Sequence, residues 1–155
     1  MLAGVISDTH GLLRPEAVAA LRGVDCVIHA GDIGAPEVLE ALAQIAPVHA
    51  IRGNNDRAQW AARLPDTCTI ELGGVAIYVI HDVKVLVHEE LDASIRVVIS
   101  GHSHAPRVQE VDGVLYLNPG SAGPRRFRLP VTVGRLNIES RQARANIVAL
   151  ELPPK

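Results

Sequence analysis

The chain is predicted to be an α/β protein that begins as a parallel sheet and ends in hairpins. Two observations predict this. Between residues 2 and 51, short β-branched apolar runs alternate with helical segments across brief connections, the pattern of parallel strands joined by helical crossovers. From residue 68 onward the apolar runs come in pairs, split by Gly73-Gly74 and Asp112-Gly113, dipeptides that serve tight turns. Composition supports a packed core: 48% of the 155 residues are hydrophobic and 21% charged, enough to bury a core in one domain over 1–155. Aromatics make up only 3%, so that core must be aliphatic.

Leu2 to Ser7 is a short apolar strand that stops at Asp8-Thr9-His10-Gly11. Arg14 to Leu21 is helical, with Pro15 in the first turn and Gly23 just past the end. Asp25 to Ala30 is the second strand and stops at Gly31-Asp32. Pro36 opens a second helix that runs to about Ile45. Pro47 to Ile51 is the third strand and stops at Gly53-Asn54-Asn55-Asp56. Cys68–Leu72 and Val75–Ile80 form the first hairpin, whose second strand stops at His81-Asp82. Val83 to Leu91 is read as a short helix. Ile95 to Ile99 is a strand buried on both faces and stops at Gly101-His102-Ser103-His104. Arg107–Val111 and Val114–Leu117 form the second hairpin, which ends at Asn118-Pro119-Gly120-Ser121. Val131 to Ile138 and Ala145 to Leu150 are two final strands whose edge offers a surface for pairing with a second copy.

Several function classes are disfavoured. The net charge is −2 and no run of like charge stands out, which argues against a long nucleic-acid partner held by phosphate neutralisation. Scarce aromatics argue against a single-strand stacking platform. The N-terminus lacks a basic segment and turns polar at Ser7-Asp8, unlike a secretory leader. No apolar run approaches the ~20 residues of a membrane span. Cys26 and Cys68 are far apart in sequence, without CxxC spacing, and read as free thiols of a reducing cytoplasm.

The informative pattern is where polar residues fall. Five strands end in metal-ligand types: Asp8 and His10, Asp32, Asn54, His81, then His102 and His104. In open α/β sheets, ligands gather beyond the carboxyl ends of strands. Singly, each has an ordinary structural explanation: Asp8 a cap, Asp32 and Gly53-Asn54 turns, His81 a packed histidine. Together at strand ends they make a set of carboxylate, amide and imidazole donors without thiolate, suited to Mn²⁺, Fe²⁺, Zn²⁺ or Ni²⁺. Seven donors exceed one tetrahedral site and suit two ions if one carboxylate bridges. His29, His49 and His88 lie away from strand ends and are read as structural.

The order Asp8-x-His10, Gly31-Asp32, Gly53-Asn54, His81, Gly101-His102-x-His104 resembles the calcineurin-like metallophosphoesterase superfamily. More narrowly it resembles the small bacterial and archaeal phosphodiesterases of the YfcE type, which also resemble the retromer scaffold subunit. Asn118-Pro119-Gly120-Ser121 followed by Pro124-Arg125 supports the narrower group, and the match spans Leu2 to about Arg126. The resemblance implies a four-layer α/β/β/α sandwich of two mixed sheets flanked by helices. It implies two divalent ions, Mn²⁺ foremost, with Asp8, His10 and His104 on the first, Asn54, His81 and His102 on the second, and Asp32 bridging. It further implies hydrolysis of a phosphoester by a metal-bridging hydroxide attacking in line, on a small substrate, with phosphomonoesterase activity as an extension.

This sequence departs from the family pattern in three ways. Where many larger relatives carry a histidine after the asparagine, Asn55 stands, and an amide cannot act as a general acid at neutral pH. That favours esters with good leaving groups, or substrates whose leaving oxygen is helped by water. Asp82 replaces the usual glycine after His81. No large insertion is present to cap the crevice. Asp56 is a candidate acceptor orienting a metal-bound imidazole, and Arg125 and Arg126 are candidates for substrate phosphate. Asn118 and Ser121 are read as shaping the loop beside the site. The alternative function is a non-catalytic scaffold on the same fold, as in the retromer subunit; its sign would be degenerate ligands, and all seven positions here carry competent ones.

Overall fold

The computed structural model describes residues 1–153. In chain order its main elements are β1 (Leu2–Ile6), α1 (Pro15–Ala20), β2 (Cys26–His29), α2 (Pro36–Ala43), β3 (Val48–Ala50), β4 (Thr67–Leu72), β5 (Val75–Ile80), β6 (Ile95–Ile99), β7 (Arg107–Val111), β8 (Val114–Asn118), β9 (Thr132–Glu139) and β10 (Gln142–Ala149). Both α-helices begin with the predicted proline in the first turn, where its missing N–H costs nothing.

Two five-stranded sheets result, in the orders β10-β9-β1-β2-β3 and β4-β5-β6-β8-β7. Both are mixed. β1, β2 and β3 run parallel, and β9 pairs antiparallel with β1, Leu2 aligning with Asn137. In the other sheet β5, β6 and β8 run parallel, while β4 and β7 are added as hairpin partners. β10, whose pairing starts at Gln142, is longer than the sequence suggested and closes one edge.

The sheets pack face to face. Val5, Ile28 and Leu136 from one sheet and Ile77, Val97 and Ile99 from the other make an aliphatic layer between them. On the far side of the first sheet, Leu21, Val38 and Leu42 of the helical layer cover Ile6, Val27 and Val133. On the far side of the second, Val83, Leu86 and Leu91 cover Ile80, Ile95 and Val98. The four-layer α/β/β/α order is therefore present, with its last layer reduced. Residues 83–91 form two single 3₁₀ turns, Val83–Val85 and His88–Glu90, instead of one helix. Val83, Val85 and Val87 explain this: β-branched side chains at alternating positions lose χ1 freedom in a helix, and here Val85 and Val87 face solvent while Val83 packs inward. A further 3₁₀ turn, Gln59–Arg63, carries no strong sequence signal. Among the described residues no helix is long and apolar enough to cross a membrane. Cys26 and Cys68 are free thiols.

Candidate metal centre

The parallel strands β1, β2, β3, β5 and β6 deliver their carboxyl ends to one rim, and the seven predicted ligand residues sit on the loops that follow. These loops bend hard. Asp8, His10, Asp32, His102 and His104 all take positive φ, at 55°, 46°, 56°, 69° and 63°. Non-glycine residues adopt that region at a cost of order 1–3 kcal/mol each, so five such residues at one rim mark backbone held in place by its surroundings. Two glycines allow the loops to touch. A Cβ on Gly53 would lie 2.1 Å from Asp32 Oδ1, and one on Gly101 would lie 2.0 Å from Ser7 Oγ and 2.6 Å from Asp8 Oδ2.

Asp8 is fully buried. Its Oδ2 accepts from Ser7 Oγ at 2.6 Å and from the His102 backbone N–H at 3.0 Å, which leaves Oδ1 aimed at the imidazoles. Oδ1 lies 3.4 Å from His104 Nε2 and 3.8 Å from both His10 Nε2 and His81 Nε2. Asp32 is held from its other side. The Asn55 backbone N–H donates to Oδ1 at 2.9 Å and the Asn55 side-chain amide to Oδ2 at 3.1 Å. Asp32 Oδ2 then sits 3.2 Å from His81 Nε2 and 3.8 Å from His10 Nε2, between two histidines that the resemblance assigns to different ions. His81 Nδ1 is 2.7 Å from the Ala30 carbonyl, so Nδ1 carries the proton and Nε2 presents a lone pair to the centre. Asn54 Oδ1 lies 3.3 Å from His102 Nδ1.

These residues fit divalent metal. Asp8 Oδ1, His10 Nε2, His81 Nε2 and His104 Nδ1 are buried without a hydrogen-bond partner, an arrangement that is costly unless a ligand satisfies it. Two groups of donors emerge, Asp8 with His10 and His104, and Asp32 with His81 and His102, the donor atoms of each lying within 4.8 Å of one another. Burial raises the Asp32 carboxyl, but the His81 imidazole 3.2 Å away, the Asn55 backbone hydrogen bond and the charge of His10 outweigh it and bring it down to about 2. Burial likewise pushes His104 below the usual imidazole range, keeping it neutral and able to ligate.

The remaining predicted residues take other positions. Asp56, 4% exposed, accepts from the backbone N–H groups of Ile33 (3.0 Å), Gly34 (3.1 Å) and Gly53 (2.9 Å); it clasps the Asp32 loop to the Asn54 loop and contacts no imidazole. Arg125 lines a cavity of about 200 Å³ with Pro130 and Leu150, and Arg126 is the guanidinium whose charge bears on His104. Asp82 Oδ1 caps the 83–85 turn through the Lys84 N–H at 3.0 Å, and its Oδ2 lies 3.8 Å from His102 Nε2. Asn118 donates to the Gly101 carbonyl at 2.9 Å and Ser121 to the Asp8 carbonyl at 3.0 Å, so both brace the ligand loops. His88 meets Tyr116 on the outer layer, and His49 lies on β3 opposite Ile28.

Sequence reasoning gave no role to Ser7 or Thr9. Fully buried His29 accepts from the Gly31 N–H at Nδ1 (3.1 Å), so its Nε2 donates to Thr9 Oγ1 (3.0 Å), which in turn donates to the Ile33 carbonyl (2.8 Å). That chain fixes the residue between Asp8 and His10. The one available signal was the position of Ser7 and Thr9 on either side of Asp8.

Comparison with known proteins shows the family to which this fold belongs. A probable metallophosphoesterase of Methanothermobacter thermautotrophicus is 36% identical, the alignment covering 99% of this chain and 95% of that protein. The structure of an archaeal phosphodiesterase superposes with a TM-score of 0.79 at 28% identity, over 96% of this chain and all of that one. Zinc-complexed Vps29 from Entamoeba histolytica shares the fold, with a TM-score of 0.74 at 24% identity over 96% of this chain and 99% of that one. The calcineurin-like phosphoesterase superfamily domain matches residues 1–141, and the chain belongs to that superfamily.

Proposed function

We propose that this protein is a divalent-metal-dependent phosphodiesterase acting on small phosphoesters, with phosphomonoesterase activity as a secondary capacity. The observation that carries the reading is the set of buried donor atoms, Asp8 Oδ1, His10 Nε2 and His81 Nε2, left without hydrogen-bond partners at one rim, with His104 Nε2 3.4 Å from Asp8 Oδ1. Asp8, His10 and His104 would hold one ion and Asn54, His81 and His102 a second. Asp32, whose two oxygens are held by Asn55, would bridge them. Mn²⁺ suits this oxygen and nitrogen set, with Fe²⁺, Zn²⁺ and Ni²⁺ as alternatives. Such ions, when bound, supply an acidified water and positive charge against the phosphoryl oxygens.

The chain's own residues supply position and protonation state. The Ala30 carbonyl holds His81 in the tautomer that presents Nε2. The Ser7 hydroxyl and the His102 N–H fix Asp8 so that one oxygen faces inward. No histidine follows Asn54, and the Asn55 amide is engaged with Asp32, so no side chain at this position can protonate a departing alkoxide. Esters whose leaving group is a stable anion are therefore the favoured substrates.

With Mn²⁺ the protein is expected to hydrolyse bis(p-nitrophenyl) phosphate, and Asp32→Ala or His104→Ala is expected to lower kcat by ~100-fold or more, as loss of a metal position does. Wild-type turnover by either variant overturns the assignment. Metal analysis after chelator-free purification tests the centre itself: about two equivalents supports it, none even after soaking with Mn²⁺ supports a scaffold on the same fold, and turnover of the diester separates an enzyme from a scaffold that binds metal.

A further inference from the structure

A groove of about 690 Å³ opens beside His102, the most exposed of the imidazoles at the centre, whose side chain is 44% accessible. Its volume falls in the range of organic-ligand sites. One wall is a face of the β7–β8 hairpin. There the register sets Arg107 opposite Asn118, Gln109 opposite Tyr116 and Val111 opposite Val114. Residues two apart share a face of a strand, so Arg107, Gln109 and Val111 line the groove together. The facing wall is Val83 and Lys84 of the turn that Asp82 caps. Tyr116 is fixed through its hydroxyl by His88, and Arg107 donates to the Gln109 amide oxygen, so the polar and aromatic groups are tethered.

We propose that this groove receives one ester arm of the substrate and that the arm is a nucleoside. The proposal rests on the phosphodiesterase reading of the adjoining centre. Val83, Val111 and the Tyr116 ring offer apolar surface to a flat base, while Gln109 and Arg107 supply hydrogen-bonding groups for its edge. A fatty chain would leave that polar edge unpartnered. A bare sugar would not use the apolar walls. A groove of this volume beside His102 suits one nucleoside, and the chain's net charge of −2 agrees with a small substrate over a long polymer.

The test compares thymidine 5′-p-nitrophenyl phosphate with methyl p-nitrophenyl phosphate, which share a leaving group. With Mn²⁺ the nucleoside ester is expected to show kcat/KM at least ~10-fold higher. Gln109→Ala and Val111→Trp, both on the exposed edge strand β7, are expected to reduce that advantage by ~5-fold and ~10-fold respectively, mainly through KM, while methyl ester turnover stays unchanged. Equal efficiency on the two esters, or equal loss on both in the variants, overturns the proposal. If neither diester is turned over, the phosphodiesterase reading fails instead, and calorimetric titration with thymidine 5′-monophosphate decides the groove alone. Binding that weakens in Val111→Trp upholds it, and absence of binding by the wild type overturns it.

Discussion

At the scale of single residues, the two histidines after β6 show how little sequence distance separates different tasks. His104 is buried against Asp8 Oδ1 at 3.4 Å, while His102 leans outward to Asn54 at 3.3 Å. If they serve different ions, His102→Ala and His104→Ala should each retain about one equivalent of Mn²⁺, and the double variant none. Asn54→Ala added to His102→Ala should cost no further equivalent. Mn²⁺ titration followed by electron paramagnetic resonance measures this, and two single variants that keep the same ion would contradict the partition. Asp56 makes a second case. Its two oxygens satisfy three backbone N–H groups, so Asp56→Ala should lower the stability of the metal-free protein by about 3 kcal/mol in urea unfolding, and Asp56→Asn by less, because one acceptor oxygen survives. The ligand residues were legible because polar side chains directly after buried strands are anomalous for packing. Asp56 was legible as a residue near the site but not in its role, since its partners are amides 3, 22 and 23 positions away that only the folded loops assemble.

At the scale of elements, the centre depends on strand ends packed more closely than side chains normally permit. Gly101 links β6 to its histidines and sits against Ser7 and Asp8 of the β1 end, with its N–H donating to the His81 carbonyl at 2.9 Å. Gly101→Ala must displace Asp8, because the new methyl group would lie 2.6 Å from Oδ2, the atom that receives the His102 N–H. The expected result is a loss of about 3 kcal/mol in stability and of the ion held by Asp8, read by unfolding and metal titration. Unchanged Mn²⁺ affinity would mean that the loops are looser than the geometry implies. Both α-helices and all ten strands were legible, because Pro15 and Pro36 mark the helix starts and Gly73-Gly74 and Asp112-Gly113 mark two of the hairpins. Residues 83–91 were not, since an apolar pattern near helical spacing competed there with alternating valines, and tertiary contact with β6 and β8 decided for isolated turns.

At the scale of the whole molecule, the parallel start was legible but the closure was not. β9 joins β1 through pairs such as Leu2 with Asn137, and nothing local in either segment announces a partner so distant in the chain. Between β1 and β3 the sheet buries His29 fully, and this sets a global pH dependence. Burial drives its imidazole down to about 3, opposed by Asp56 and Asp32 and assisted by the charges of His81 and His10. A histidine whose folded value lies below its unfolded value of about 6.5 stabilises the fold above pH 6.5, and that stability is lost as the pH falls toward 3. Below pH 6 the raised His81 is protonated both folded and unfolded and adds no slope, while Asp32, lowered to about 2, acts only below about pH 4. Lowered His104 acts in the same direction as His29, so the wild type carries both. In chelator-treated protein between pH 5.5 and 4.5, stability should therefore fall by about 1.3 kcal/mol or more per pH unit. His29→Asn, which retains an acceptor for the Gly31 N–H, should remove one proton's worth of that slope whatever its absolute stability. Parallel slopes for the two proteins in urea unfolding would show that His29 titrates near its ordinary value, and that the Thr9 chain beneath the ligands is open to water.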